Sequence, residues 1–320
     1  MKLITQIPQQ KAQNPIDYDS RVFLTGSCFS ENMGRKLDYF KFRSFQNPFG
    51  ILFHPKAIET LVVRSVTQDH YLEEEVFYHN ERWHCFDAHS DLSDVSKKDL
   101  IKKLNNRLMH THERLKNATH FIFTLGTAWS YKHKDGNAFV ANCHKIPQKE
   151  FSKVLLSITE IKKSLGAVME NIRKVNEQAQ VIFTISPVRH LKDGFRENQR
   201  SKAHLIAAIH DMVQNTYSKS HISYFESYEL MMDELRDYRF YEVDMVHPNE
   251  LAVDYIWQRF RDIWISEKIF PMMDRVEAVQ KDLKHKFFDP GSVASQKFRA
   301  ALQEKIAYLQ KEHPFMEFSE

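Results

Sequence analysis

The sequence predicts an α/β fold: a three-layer α/β/α sandwich around a five-stranded parallel sheet, with small β-hairpin insertions and a helical extension at the C-terminus. Five short apolar runs recur along the chain, at Val22–Leu24, Phe42–Phe45, Phe121–Leu125, Val181–Ile185 and Ile222–Phe225. Helical patterns lie between most of them, notably Lys98–Lys116, Glu150–Val175 and Glu197–Ser218. Alternation of strand and helix implies parallel strands covered on both faces. The expected order of the five strands is 2-1-3-4-5, and ligands in such sheets bind beyond the strands' carboxyl ends.

The first element is the most informative. Arg21 to Leu37 reads RVFLTGSCFSENMGRKL, an apolar run that breaks at a glycine and re-emerges as a helix. Gly26 permits a sharp turn, and Ser30 with Asn32 stands where helix N-cap residues belong. Two candidate nucleophiles, Ser27 and Cys28, lie side by side at that turn. A nucleophile on a strand-to-helix turn is exposed above the sheet, beside main-chain N–H groups that can receive an oxyanion. A second motif, Asp244-Met-Val-His247-Pro-Asn, places a carboxylate three residues before a histidine on a pre-helix loop. Together they suggest a nucleophile–His–Asp hydrolase. The helix after Pro248 is amphipathic through Leu251, Ala252, Tyr255, Ile256 and Phe260, with Asn249 as its N-cap. The turns after Leu24, Leu125 and Ile185 should share one rim of the sheet.

Two insertions decorate this core. Glu75–Asp87, within about residues 70–90, reads as a hairpin with polar His79-Asn80-Glu81 between aromatic-rich arms. Tyr131–Cys143 reads as a second hairpin, turning at Asp135-Gly136-Asn137. Each is expected to be either a wall or lid of the site or a plain surface β-element. After Trp264 the chain turns to charged helices, broken near Asp289-Pro290-Gly291. Phe298, Ala301, Leu302, Ile306 and Leu309 give the last helix an apolar stripe, which either packs on the core or mediates self-association. The expected division is therefore a catalytic domain over residues 1–264 and a helical extension over 265–320.

Composition narrows the function classes. Hydrophobic content of 42%, charged content of 27% and a formal charge of +3 over 320 residues fit an ordinary soluble protein. No long basic run interleaves with aromatics, so nucleic acid is not an expected partner. The opening MKLITQIPQQKAQNP turns polar after five residues, and no segment has the ~20 apolar residues of a membrane span. Three cysteines argue against a disulfide framework and for a reducing interior, so a cytoplasmic location is expected.

GSCFS at 26–30, LGTAW at 125–129 and DMVHPN at 244–249 stand in the order and context of the conserved blocks of the SGNH/GDSL hydrolase superfamily. Within it the chain most resembles the GSCFA family, with Ser30 in place of the last residue of that family's first block. The resemblance covers roughly residues 20 to 262. It implies a flavodoxin-like three-layer fold and hydrolysis of esters or thioesters of lipids or glycans. It aligns Cys28, rather than Ser27, with the superfamily's nucleophile, and matches Asp244 and His247 to its last block without departure. Asn47-Pro-Phe-Gly50 resembles the second block, whose glycine N–H helps form the oxyanion hole. Gly126-Thr127-Ala128 resembles the third, with Ala128 where that block carries an oxyanion-binding asparagine.

A cysteine suits the nucleophile's place. Its thiol ionises near pH 8.5 when unperturbed, lower at a helix N-terminus or beside an imidazolium, and it needs less help from a base than serine does. The alternatives are Ser27 as nucleophile, or no covalent nucleophile with Cys28 as a buried small hydrophobe. Asp244 would hold His247 by its Nδ1–H. With Ala128 in place of asparagine, the expected oxyanion donors are Gly50, Gly126, the Thr127 hydroxyl and the Cys28 N–H, or a side chain from another loop, because losing one donor costs about 10²–10³ in rate. Asn47, Arg189, His190 and His144 are the expected substrate contacts, with Arg189 suited to an anionic group. His84-Cys85 and Cys143-His144 lack zinc-site spacing, and neighbours on a strand point to opposite faces, so no metal or other cofactor is expected. Two readings follow: an acyl hydrolase or acyltransferase on an acylated carbohydrate or small metabolite, or a degenerate fold that binds a glycan or acyl ligand without turnover.

Overall fold

The computed structural model describes residues 5–8, 10–215 and 221–318. The chain begins its ordered core with β1 (Arg21–Gly26), α1 (Cys28–Tyr39), β2 (Arg43–Gln46) and α2 (Pro55–Thr67). A hairpin of β3 (Val76–His79) and β4 (Arg82–Cys85) leads to α3 (Lys97–Asn117) and β5 (His120–Leu125). Strands β6 (Trp129–His133), β7 (Phe139–Val140) and β8 (Phe151–Leu155) precede α4 (Ile158–Val175), β9 (Gln180–Ile185) and α5 (Phe195–Asn215). Then come β10 (Ile222–Phe225), the single turn α6 (Ser227–Glu229), α7 (Glu250–Trp264), α8 (Phe270–Leu283) and α9 (Val293–Glu312).

The central sheet has the order β10-β9-β5-β1-β2, and every neighbouring pair is parallel. Counted along the chain, this is the expected 2-1-3-4-5. Strand side chains alternate between the faces, and the two faces have separate cores. Phe23, Phe121, Phe123 and Phe183 pack with Leu61, Leu104, Leu165 and Ile209 from α2 to α5. Val22, Leu24, Ile122 and Ile182 pack on the other face with Leu37 of α1 and with Ile256 and Phe260 of α7. Helices thus cover both faces, and the polar groups of the strand ends collect at the carboxyl rim.

Both insertions are β-elements. In the first, β3 and β4 pair antiparallel, and the turn passes through Asn80 and Glu81, both at positive φ (44° and 60°), as a two-residue hairpin requires. In the second, β6 pairs with β7 on one side and with β8 on the other. The third strand corrects the expected helix over Glu150–Val175: Phe151–Leu155 is extended, and the helix begins only at Ile158. Ser157 sets that start, its Oγ accepting from Glu160 N while the Glu160 carboxylate returns to Ser157 N. The expected helix over Glu197–Ser218 is present to Asn215, and its last expected residues lie outside the described ones.

Asn249 caps α7 as expected, accepting from Ala252 N at 3.1 Å. At α1 the expectation is corrected. The N-cap is Ser27, whose Oγ accepts from Phe29 N at 3.3 Å, while Ser30 and Asn32 lie within the helix. Ser30 faces inward and donates to Thr124 Oγ1 at 2.8 Å. The stripe of α9 lies within the chain: Leu302, Ile306 and Leu309 are buried in the same core as Met273 and Val276 of α8. No helix among the described residues is long and apolar enough to cross a membrane.

Candidate active site

The rim is built where three strands end. Gly26, closing β1, lies against β5 so closely that a Cβ would stand 2.2 Å from Thr124 O, at a φ of 150°. Ser27 N donates to that same carbonyl at 3.0 Å, which fixes the turn and leaves Cys28 as the first residue of α1. The segment after β2 then crosses the rim. Leu52 N reaches Gly26 O at 3.1 Å and Phe53 O accepts from Gly126 N at 2.7 Å, tying it to the ends of β1 and β5. Gly126 must be glycine, because a Cβ there would sit 2.7 Å from His190 Nε2 and 3.0 Å from Phe53 Cβ. His190 stacks on the Phe53 ring with centroids 5.4 Å apart.

The second motif closes on itself. Asp244 Oδ1 accepts from Val246 N and His247 N at 2.9 Å each, and Oδ2 meets His247 Nδ1 at 2.6 Å. These bonds to His247 and Val246 hold the Asp244 carboxyl down at about 2. The ionised carboxylate accepts the Nδ1 proton, so Nε2 presents its lone pair. Among the described residues Nε2 has no hydrogen-bond partner, and neither Cys28 nor Ser27 is within bonding distance of it. His247 acts on His190 electrostatically, which places it at the same rim.

Cys28 is half-buried. Burial raises its thiol above the ordinary value, with Glu31 adding to the shift, while the N–H groups of Phe29 and Cys28 and the charge of Lys202 oppose it. The expectation that helix N-terminus and imidazolium lower it is therefore corrected. Desolvation outweighs the helix end, and His247 is not among the groups acting on the sulfur. Ser27 is 1% exposed and its hydroxyl oxygen is held by the cap.

The expected oxyanion donors are largely engaged. Gly50 N donates to Asn47 O at 2.9 Å, and Gly126 N and Thr127 N both donate to Phe53 O, at 2.7 and 3.4 Å. Thr127 Oγ1 pairs with Ser201 Oγ at 2.8 Å, and Ser201 Oγ also accepts from Ala128 N at 2.7 Å. Asn47 accepts from Gly26 N through Oδ1 at 3.0 Å, leaving its buried Nδ2 unpartnered. Cys28 N, at the start of α1, has no main-chain acceptor among the described residues.

A pocket of about 370 Å³ opens beside this rim, walled by Phe53, Thr127, Trp129, Tyr131, Phe151 and His190. His144 also lines it, but its Nδ1 is bonded to Ser90 Oγ at 3.1 Å and its Nε2 to Cys85 O at 2.8 Å. That ring is a wall and offers no free nitrogen. Arg189 reaches the Tyr241 ring at 5.2 Å and forms no ion pair among the described residues. His84 is tied to Ser93 Oγ and His79 O, its ring 4.6 Å from that of His144.

Two residues of the rim were not anticipated, Ser201 and Lys202 of α5. Lys202 is fully buried, with Nζ donating to Ser186 O at 2.7 Å. A signal for it existed: it occupies the apolar stripe of Leu205, Ile209 and Met212, where a lysine has no place unless something needs it.

The fold and rim define an α/β protein with a candidate nucleophile at a strand-to-helix turn and an Asp–His pair on the loop before a late helix. The chain belongs to the GSCFA family, which matches residues 21–260. The C-terminal domain of GSCFA domain proteins matches residues 276–320. No curated protein matches the sequence. One solved structure similar to the chain is a carbohydrate esterase family 3 from Talaromyces cellulolyticus, at 8% identity and a TM-score of 0.35, covering 80% of this chain and 98% of that one.

Proposed function

We propose that the chain is an acyl hydrolase or acyltransferase of the SGNH kind, with Cys28 as nucleophile, His247 as base and Asp244 holding the imidazole. The observation that carries this reading is the Asp244–His247 pair at 2.6 Å, its Nε2 unpartnered, at the rim where Cys28 heads α1. Sγ attacks the acyl carbonyl carbon, the thiol proton passes to Nε2, and the carbonyl electron pair moves onto oxygen. That oxyanion is received by the Cys28 N–H, with the Nδ2 of Asn47, unpartnered just past β2 while its Oδ1 accepts from Gly26 N, as the candidate second donor. Collapse expels the alkoxide or thiolate, which takes the proton from His247. Water, or an acceptor hydroxyl, then attacks the acyl-cysteine and gives its proton to Nε2, and the sulfur leaves and recovers it. The half-exposed imidazole closes on the sulfur when substrate displaces water, since catalytic contacts are often long before substrate binds. The aromatic pocket would take the sugar or acyl body of the substrate, and Arg189 an anionic substituent.

The second reading, a ligand-binding protein without turnover, is favoured by Ala128 and by the raised thiol. An activated acetate ester separates them. With p-nitrophenyl acetate the native chain should release nitrophenolate and carry one acetyl group on the Cys28 peptide by mass spectrometry, and Cys28→Ala should do neither. Equal release from native chain and Cys28→Ala, with no adduct on either, would remove the covalent reading.

A further inference from the structure

We propose that Lys202 is the buried counter-charge of this site, the positive group that stabilises the Cys28 thiolate and the oxyanion formed beside it. The proposal rests on the reading of Cys28 as the nucleophile, and it assigns to α5 the electrostatic task that the third block leaves undone at Ala128.

The geometry comes first. Lys202 is 0% exposed, yet among the described residues it makes a single hydrogen bond, to the carbonyl of Ser186 just past the end of β9. An ammonium has three N–H donors, and a lysine is almost never fully buried unless paired. No carboxylate lies within ion-pair distance of Nζ among the described residues. The Tyr228 ring of α6 lies 5.3 Å from Nζ. The Ser186 carbonyl that Nζ holds belongs to the rim that β5 shares with the Ser27–Cys28 turn, Ser186 N bonding Leu125 O and Ser27 N bonding Thr124 O. Lys202 acts electrostatically with Cys28 of α1, His190 of the loop after β9 and Glu229 of α6. The preceding residue, Ser201, is bonded to Ala128 N and Thr127 Oγ1. Consecutive residues of one helix therefore brace the end of β5 and set a cation behind it.

The charges agree with this placement. Burial brings Lys202 down to about 7, and a negative charge on Cys28 pulls it back up, with Glu229 acting the same way. The reverse holds at the sulfur, where Lys202 favours the thiolate against burial and Glu31. His190 cannot serve instead: burial first, then Lys202 and His247, hold it neutral down to about 3. Lys202 makes and breaks no bond in this role, because it answers charge that appears elsewhere. A merely structural lysine would pin the Ser186 carbonyl and leave Cys28 indifferent to its removal.

The test follows alkylation of Cys28 by iodoacetamide from pH 6 to pH 10, read peptide by peptide with Cys143 as internal reference. In Lys202→Met, Cys28 labelling at neutral pH should fall about tenfold relative to Cys143, one unit of thiol pKa. An unchanged Cys28 profile in a variant that still protects Cys85 would overturn the proposal. If Lys202→Met does not fold, lysine-labelled native chain and Cys28→Asp answer the same question by carbon-13 NMR. One lysine should titrate near neutrality, and a permanent carboxylate at 28 should raise its midpoint by about a unit; an unmoved midpoint would count against it. The two readings fail separately. Coupled labelling with full turnover in Cys28→Ala overturns the nucleophile, whereas dead Cys28→Ala with uncoupled labelling overturns the counter-charge.

Discussion

The side of the rim that carries the proposed nucleophile is enclosed, and the side that carries the proposed base is open to water. Ser27 is 1% exposed and Lys202 0%, whereas the side chains of His247 and Asp244 are 48% and 50% exposed. Their chemistry differs accordingly. On the enclosed side desolvation is the first cause of every shift, raising Cys28 and lowering Lys202 and His190. On the open side hydrogen bonds from its own loop hold Asp244 at about 2. Burial on the one half works against charge, and Lys202 is the cation it keeps there. The other keeps a charged carboxylate in water, ready to support an imidazolium.

The largest effect that tests this division is removal of the proposed base. His247→Ala should lower kcat/KM by about 10²–10⁴, the usual contribution of a positioned general base. Iodoacetamide labelling of Cys28 in the resting protein should stay within about twofold of native, because His247 is not among the groups acting on the sulfur. Labelling that falls together with turnover would mean that the two halves are already joined before substrate arrives. Asp244→Asn should lose turnover in the same direction, through loss of the Nδ1–H acceptor.

The same division explains what the sequence disclosed. Asp244 and His247 are three residues apart and bond within one turn, so their partnership was legible from spacing alone. Gly26 and Cys28 were legible because a strand that breaks at glycine before a helix has few geometries to choose from. The five strands followed from apolar runs alternating with helices, and their order from that alternation together with the rim position expected of all three motifs. Lys202 escaped because its significance depends on α5 crossing the end of β9, a contact between distant segments that no local pattern encodes. Phe151–Leu155 was misread for a related reason: it pairs with β6, and only Ser157 marks where its extended run gives way to helix. The oxyanion donors also needed the structure, since a glycine N–H read from a block reveals nothing of the carbonyl it already serves.

A smaller effect sharpens the contrast through acid stability. His54 caps α2 through Nδ1 and donates Nε2–H to Val140 O at 3.0 Å, and burial lowers it to about 4. Burial likewise lowers His144 to about 4 and His190 to about 3. Unfolded histidines titrate near 6.5, so between that pH and about 4 the unfolded chain binds more protons than the folded one. Stability contributed by these neutral rings is complete above pH 6.5 and is lost as pH falls through the folded values. The urea midpoint should therefore drop steadily from pH 7 to pH 4.5, and His54→Asn, which keeps a capping side chain, should flatten that slope. A midpoint independent of pH over this range would show that the enclosed side is wetter than its burial implies.

The smallest effect concerns the neighbour of the proposed nucleophile. Ser27 holds an extended backbone (φ −71°, ψ 175°) and caps α1 by accepting from Phe29 N. Its hydroxyl oxygen is therefore already engaged in the structure that presents Cys28. Ser27→Ala should cost about 1 kcal/mol of stability, the ordinary loss of a serine N-cap, read as a lower urea midpoint with unchanged m-value. Turnover should persist at a measurable fraction, because Cys28 remains the first residue of the helix even when the cap is gone. Ser27→Asp separates capping from chemistry further, since an aspartate restores the cap acceptor without an alcohol. Recovery of stability with turnover intact fits a capping serine. Loss of turnover in both variants, with Cys28→Ala still active, would transfer the nucleophile to Ser27 and make the enclosed thiol its neighbour.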